Sequence, residues 1–164
     1  MTATRPAILF VCLGNICRSP LAEAAFRMEA ARAGLDAAAD SAGTGNWHVG
    51  HPPDRRAQAA ARRNAADIAG YRARQVEAAD FRRFTHIFAL DRQNLRDLKA
   101  LAPGDGTAAI GLLMDLVPGR EGSDVVDPYY GVEEDFDKSW ADVSAAARAL
   151  VTGLKEAGFN SSAA

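Results

Sequence analysis

Ile8-Leu9-Phe10-Val11-Cys12-Leu13-Gly14-Asn15-Ile16-Cys17-Arg18-Ser19-Pro20 is the stretch from which the rest of the chain can be read. Ile8 to Val11 is a continuous apolar run with a β-branched residue at each end, the pattern of a buried strand. Leu13 to Arg18 follows as a loop, because Gly14 and Asn15 both tolerate positive φ. Ser19-Pro20 then reads as a helix start, with Ser as the cap and Pro at the first helical position. Leu21, Ala25 and Met28 give that helix an apolar face, Glu23 lies in its early turns, and Gly34 closes it.

Working outward, Leu35 to Ser41 is a weaker strand candidate, and Ala42 to Pro53 is a loop rich in Gly, His and Pro. Asp54 to Ala66 reads as a helix, Ala78 to Phe84 as a short one, and His86 to Leu90 as a third strand. A helix over about Arg92 to Leu101 and a fourth strand, Ala108 to Leu113, come next. Val117 to Tyr130 is mainly loop. The last helix runs from about Glu134 to Lys155, with Phe136, Trp140, Val143, Ala147, Leu150 and Leu154 on one stripe at helical spacing. Strands alternating with helices predict an α/β fold: a parallel sheet with helices on both faces, a Rossmann-like three-layer sandwich. No internal repeat, low-complexity linker or boundary divides residues 1–164, so one domain is expected, with a core of about 6–158 and a frayed tail from Asn160 to Ala164.

A chain of 164 residues is large enough to bury a substantial core. With 48% hydrophobic and 24% charged residues, the composition is that of an ordinary globular protein. The formal net charge of -2 gives no global attraction to nucleic acid or an anionic membrane. Any anion site must therefore be built locally. The apolar run Ala7 to Val11 is too short for a signal-peptide core, and no stretch approaches the ~20 apolar residues of a membrane helix, so a cytoplasmic location is expected. The two cysteines, Cys12 and Cys17, do not make a disulfide framework in a chain of this size.

In open α/β sheets, sites form at the carboxyl ends of strands beside helix N-termini, and the loop from Cys12 to Ser19 lies there. The backbone N–H groups of Leu13, Gly14, Asn15, Ile16 and Cys17 can converge on one point, and the helix macrodipole adds positive potential. Arg18 adds a planar fork matched to two phosphate oxygens. The same field acts on Cys12. A thiol titrates near ~8.5 when free, and helix N-termini and cations lower that value, so Cys12 is expected to be a thiolate nucleophile. The Ser19 hydroxyl can donate to the sulfur. A lone cysteine at a strand end is usually a small buried hydrophobe; the strand, the Gly/Asn loop and the Ser-Pro start together favour the chemical reading. No His or Cys partner stands at metal-ligand spacing, so no metal and no cofactor are expected.

Displacing an alkoxide or phenoxide from phosphorus needs a proton donor. Asp127-Pro128-Tyr129-Tyr130 lies in a loop flanked by Asp124, Glu133 and Glu134. Pro128 restricts Asp127 to an extended conformation, from which its carboxyl can project. Tyr129 and Tyr130 offer flat apolar walls, and Trp47, in the loop after the second strand, offers another.

These residues resemble the low molecular weight protein tyrosine phosphatases. The segment from Val11 to Pro20 looks like their phosphate-binding loop, and Asp127-Pro128-Tyr129-Tyr130-Gly131 like their general-acid loop. Ser41-Ala42-Gly43-Thr44, Trp47-His48-Val49-Gly50, Ala73-Arg74-Gln75, Asp80-Phe81, Leu90-Asp91 and Asn94-Leu95 match in order and spacing. The resemblance spans about Ile8 to Leu154 and implies a four-stranded parallel sheet and a metal-independent, two-step hydrolysis of phosphotyrosine. In it Cys12 attacks phosphorus, Arg18 holds the equatorial oxygens and Asp127 protonates the tyrosine oxygen, then activates water against a cysteinyl-phosphate. Asn15, Ser19 and Ser41 match positions that hold the loop in shape, Asp91 a supporting carboxylate, and Trp47, Tyr129 and Tyr130 the substrate entrance.

Ile16 and Trp47 set the chain apart from relatives that hydrolyse phosphoarginine, which tend to carry Thr at the position of Ile16. An arsenate reductase on the same scaffold would need further cysteines beyond Cys17. A non-catalytic phosphotyrosine-binding module would be expected to lack Cys12 or Asp127. Tyr71 stands where many members have a histidine that helps the network behind the loop. Cys17 matches a second loop cysteine that can form a reversible disulfide with the nucleophile. The expected partners are phosphotyrosine-containing proteins, with phosphate and other oxyanions as inhibitors, no nucleic acid, no membrane, and a monomeric enzyme.

Overall fold

Residues 5–159 are described by a computed structural model. Strand β1 (Ala7–Cys12) is buried along both faces because its side chains alternate between two cores. Ile8, Phe10 and Cys12 pack with α1 (Arg18–Ala33), α2 (Arg55–Arg63) and α5 (Glu133–Glu156). Leu9 and Val11 pack on the other side with Phe81, Phe84 and Leu98, which come from or adjoin α3 (Asp80–Arg83) and α4 (Arg92–Leu101). The other strands are β2 (Ala38–Gly43), β3 (His86–Ala89) and β4 (Ala109–Leu112), and a 3-10 turn covers Leu113–Leu116. The sheet has four parallel strands in the order β2-β1-β3-β4, as the alternation of elements predicts.

Three local features differ from the sequence reading. First, the helix after β1 begins at Arg18, with Cys17 at the cap position and no side-chain cap. Ser19 is therefore inside the helix, and its hydroxyl is released from capping to face the loop. Second, of the pair Gly14-Asn15, it is Asn15 that takes the left-handed conformation, at φ 58°. Asparagine tolerates that region better than other side chains because its short amide bonds locally. Third, β2 starts at Ala38 and not at Leu35. Leu35 closes α1: its N–H donates to Ala30 O after Gly34 has turned at φ 67°, and its side chain is buried against the helix end.

The alanine-rich helices are used for close packing. Ala22, Ala24, Ala25 and Ala30 of α1 and Ala146 and Ala147 of α5 are buried, as are Ala57, Ala60 and Ala61 of α2. The stripe from Phe136 to Leu154 on α5 is buried throughout, as its helical spacing predicts. No helix among the described residues is long and apolar enough to cross a membrane. The expected tail, Asn160 to Ala164, lies outside the described residues.

Candidate active site

The order β2-β1-β3 places the fold's switch point at β1. The chain leaves β1 through α1 to reach β2 on one side, and β3 and β4 extend the sheet on the other. Their loops diverge above the carboxyl end of β1 and leave a crevice there. Cys12 is the last residue of β1, and the loop from Leu13 to Cys17 closes over that crevice.

The loop is held by atoms that leave its inner donors free. Asn15 Nδ2 donates to Ser19 Oγ at 2.7 Å, and Arg74 N–H donates to Asn15 Oδ1 at 3.0 Å. Both ends of the amide are fixed, which keeps Asn15 in its left-handed conformation. Gly43 N–H donates to Arg74 O, while Gly45 N–H donates to Leu13 O. A Cβ on Gly43 would lie 2.7 Å from Leu13 O, so only glycine lets the loop sit this close to β2. Among the described residues the N–H groups of Gly14, Ile16 and Cys17 donate to no backbone acceptor, and all three residues line the crevice.

Two donors converge on Cys12 Sγ. Asn15 N–H reaches it at 3.3 Å, and Ser19 Oγ lies 3.0 Å away. Ser19 Oγ accepts from Asn15 Nδ2 and can give its own proton to the sulfur, the nearer acceptor, or to Ala42 O at 3.5 Å. Arg18, only 3% exposed, donates through Nη1 to Asp91 Oδ2 at 2.7 Å and to Val125 O at 2.9 Å. Its Nη2 lies 3.6 Å from Asp127 Oδ2. Burial works against the guanidinium charge, but Cys12, Asp91 and Asp127 outweigh it and raise the Arg18 pKa above its ordinary value. Asp91 is itself fixed, since its carboxylate accepts from Asn94 N–H at 2.7 Å as the N-cap of α4.

Asp127 stands at the mouth with a 43% exposed side chain, and its Oδ1 accepts from Tyr129 N–H at 3.1 Å. The loop before it is tied to the sheet by Val125 N–H, which donates to Leu90 O. Asp124 is paired with Arg92, whose hydrogen bonds hold its carboxyl below the usual carboxylate range. The crevice has a volume of about 400 Å³ and is lined by Cys12, Leu13, Gly14, Ile16, Cys17 and Arg18 on one side, with Trp47, His48, Asp127, Tyr129 and Tyr130 on the other. The Tyr129 and Tyr130 rings meet edge to face at 4.9 Å between centroids. Trp47 and Tyr130 are 66% and 96% exposed, so their walls stand open to an incoming ring.

The structure thus brings Cys12, Leu13, Gly14, Ile16, Cys17, Arg18, Trp47, Asp127, Tyr129 and Tyr130 to one crevice, with Asn15 and Ser19 bonded to Cys12 and Asp91 to Arg18. Ser41 is a correction. Its hydroxyl does not reach the loop; it donates to Glu23 Oε1 at 2.9 Å, since Ser41 lies on the β2 face covered by α1. The Glu23 carboxyl is pushed up by burial despite Arg27 at 2.9 Å. Tyr71 lies in this buried group. Burial and the neighbouring Glu23 push its hydroxyl up to about 12. Cys17 is buried, and burial, followed by Asp54, Cys12 and Asp127, raises its thiol pKa.

The sequence reading missed His48 as a lining residue. Its ring lies 6.4 Å from the Tyr129 ring and so close to Gly14 that a Cβ there would stand 3.0 Å from it. Its position next to Trp47 was the available signal. Arg56 was also missed, because nothing local marks an arginine that binds backbone carbonyls of a distant loop, and Arg74, quoted only within a matching segment, acts on the loop through its main-chain N–H and C=O. Among the described residues, no group of three or more His, Cys, Asp or Glu is placed to hold a metal ion.

Comparison with known proteins agrees with this geometry. The profile described as "Low molecular weight phosphotyrosine protein phosphatase" matches residues 7–160. The low molecular weight protein-tyrosine-phosphatase YfkJ of Bacillus subtilis is 47% identical over 126 residues, covering 76% of this chain and 81% of YfkJ. The crystal structure of YfkJ superposes with a TM-score of 0.87 at 39% identity, covering 95% of this chain and 98% of that one. The crystal structure of DARP, a Drosophila arginine phosphatase, superposes with a TM-score of 0.85 at 31% identity, covering 90% of this chain and 97% of that one. With a cysteine sulfur under two donors, a buried arginine beside it and a family match along nearly its whole length, the chain belongs to the low molecular weight phosphotyrosine protein phosphatases and is a hydrolase of that family.

Proposed function

We propose that the chain dephosphorylates phosphotyrosine in proteins in two steps carried by Cys12, Arg18 and Asp127. The observation that carries this reading is the placement of three groups around one crevice. Cys12 Sγ lies under the Asn15 and Ser19 donors, with the Arg18 fork next to it and the Asp127 carboxyl 3.6 Å from that fork at the mouth. In the first step the Cys12 sulfur anion attacks phosphorus. An S–P bond forms, the P–O bond to the ring breaks, and the phenolic oxygen leaves with the electron pair and takes a proton from Asp127. In the second, water attacks phosphorus and the S–P bond breaks. Its electron pair returns to sulfur, the water proton goes to Asp127, and inorganic phosphate departs. Arg18 and the amides of Gly14, Ile16 and Cys17, which line the crevice and donate to no backbone acceptor, would meet the equatorial oxygens, where charge is carried throughout.

The walls support an aromatic ester as substrate. Trp47, Tyr129 and Tyr130 give flat apolar surface, which a phosphoserine side chain is too short to use. Phosphoarginine would bring a polar, charged group against the same walls and against Ile16. The surroundings support a protein partner. Of the large apolar side chains exposed among the described residues, all but Leu101 belong to three segments around the mouth: Leu13, Trp47 with Val49, and Val126 to Val132. Val49, Val126 and Val132 do not line the crevice, so they are available to the residues flanking the phosphorylated one.

Turnover of peptides identical except for phosphotyrosine, phosphoserine or phosphoarginine tests the assignment. The expected result is a kcat/KM for phosphotyrosine at least about tenfold above either rival, as contacts to an aromatic ring supply roughly 1–3 kcal/mol of discrimination. A preference for phosphoarginine would overturn it and make the likeness to DARP the better guide to substrate.

We also propose that Cys17, in the same loop as Cys12 and buried like it, protects the nucleophile. Peroxide would convert the Cys12 thiolate to a sulfenic acid, and the Cys17 thiol would displace water from it to give a disulfide. Because burial keeps Cys17 protonated, this closure is expected to be slow relative to an exposed thiol. Mass mapping after peroxide is expected to find a Cys12–Cys17 disulfide that dithiothreitol reverses. Irreversibly oxidised Cys12 with Cys17 untouched would rule the protection out.

A further inference from the structure

The loop that carries Asp127 makes no strand ladder, yet it is held on both sides of that residue. Before it, Arg18 Nη1 donates to Val125 O at 2.9 Å. After it, the hold comes from Arg56, the second residue of α2. Arg56 Nη2 donates to Tyr129 O at 2.9 Å and Nη1 to Gly131 O at 3.1 Å. The guanidinium is fixed in turn by Asp54, with Nε 3.1 Å from Oδ1 and Nη2 3.0 Å from Oδ2, and it lies 4.6 Å from the centroid of the Phe136 ring. Asp54 is anchored to the phosphate loop, because its own N–H donates to Ile16 O at 2.8 Å. A continuous path therefore runs from Ile16 O through Asp54 and Arg56 to Tyr129 O and Gly131 O.

We propose that Asp54 and Arg56 are positioning residues that hold the Asp127 loop at a fixed distance from the phosphate loop, and so deliver the proton donor to the leaving oxygen. The proposal rests on the reading of Asp127 as the acid. The chemistry of the pair suits it. A guanidinium can satisfy a carboxylate and two carbonyls at once through five donors in one plane, which a lysine cannot. Burial disfavours ionisation of Asp54, but its hydrogen bonds with Arg56 outweigh that and hold it below the usual carboxylate range, so the pair stays charged when the enzyme is at work. Asp54 also accepts from Arg56 N–H at 2.8 Å as the cap of α2, which fixes where the arginine starts. Gly131 completes the loop by closing a turn on Pro128 O, and a Cβ there would collide with Asp135 at the start of α5.

The test compares kcat/KM for a phenyl phosphate with a poor leaving group and for an activated nitrophenyl phosphate, in wild type, Arg56→Met, Asp127→Ala and the double variant. This ratio reports phosphoryl transfer to Cys12 and not the later hydrolysis. Arg56→Met is expected to lower the poor-leaving-group value by roughly 10- to 100-fold, since misplacing a catalytic group by an ångström costs that much, and the activated one by less than about threefold. In the Asp127→Ala background, Arg56→Met is expected to add almost nothing on the poor leaving group, because the two substitutions remove one function. Inhibition by inorganic phosphate is expected to stay within about twofold of wild type, the phosphate loop being intact. Equal losses on both substrates, or full additivity with Asp127→Ala, would overturn the proposal. If Asp127→Ala itself proved indifferent to the leaving group, the acid assignment would fail instead. Asp54→Asn keeps the helix cap and the link to Ile16 O while removing the carboxylate charge and the acceptor of Arg56 Nη2. It is expected to show the same leaving-group pattern, and it decides the question if Arg56→Met does not fold.

Discussion

Cys12→Ser is expected to abolish turnover of aryl phosphates, with a loss on the order of 10⁵-fold or more, while leaving oxyanion binding in place. A serine hydroxyl is a far weaker nucleophile than a thiolate. The donors that would make a sulfur anion persist cannot do the same for an alkoxide, which demands a much stronger base. The cradle itself depends little on the sulfur. Asn15 would still be held by Ser19 and Arg74, Arg18 by Asp91 and Val125 O, and Gly14, Ile16 and Cys17, whose amides donate to no backbone acceptor, would still line the crevice. Calorimetric titration with phosphate or tungstate on the inactive variant checks the second half of the expectation. Turnover within about tenfold of wild type would show that the attacking atom is not this sulfur. Loss of oxyanion binding would show that the thiolate shapes the loop.

Arg18→Lys is expected to lower kcat/KM by roughly 10²- to 10³-fold, the cost of removing one oriented donor to transition-state charge. Charge is retained in this substitution, so the effect isolates geometry. Arg18 is buried and already uses Nη1 on Asp91 and Val125 O, which fixes the plane of the guanidinium and leaves Nη2 toward the mouth near Asp127. An ammonium is a point donor and cannot hold those two partners while also offering a planar fork to phosphate oxygens. The substitution is also expected to weaken phosphate inhibition, because ground-state oxyanions use the same fork. Steady-state kinetics alongside phosphate inhibition checks both. A change confined to stability, with kcat/KM unaltered, would remove Arg18 from the chemistry and leave it as a strut between Asp91 and the Val125 backbone.

The clamp made by Arg56 bears on how such a site is assembled. The groups assigned to the proposed chemistry come from three segments: the end of β1, the start of α1, and a loop 109 residues after Arg18. Two of these are adjacent in sequence and are placed by the strand-to-helix turn. The third has no ladder of its own and relies on side chains reaching from elsewhere. Arg18 and Arg56 hold it at either side of Asp127, each bound to backbone carbonyl oxygen of that loop and to a carboxylate, Asp91 for Arg18 and Asp54, the cap of its own helix, for Arg56. Arginine serves both roles because its donors diverge in a plane and keep their charge when partly desolvated.

What the residues by themselves determined is the part of the protein built from contiguous chain. The apolar run of β1 had to be a central strand because it offers no polar face, and both neighbouring cores were implied by that alone. The loop after it had to turn and to expose donors, because Asn15 and the following helix start permit little else. Gly34 had to end α1, and the stripe on α5 had to face inward. Cys12, Arg18 and Asp127 were recognisable because each sits in a contiguous motif, the strand, Gly/Asn loop and Ser-Pro pair for the first two and Asp-Pro-Tyr-Tyr for the third, that resembles the family's pattern. The tertiary structure decided everything that depends on a carbonyl or a helix face from a distant segment. Ser19 gave up capping for the sulfur, Ser41 turned to Glu23, and Arg74 fixed Asn15 from the far side of β2. Arg56 joined two loops that share no sequence signal. Local sequence constrains φ and ψ and the period of burial, whereas a long side chain's partners are set by which backbone passes within its reach, and only the packed fold brings that backbone there.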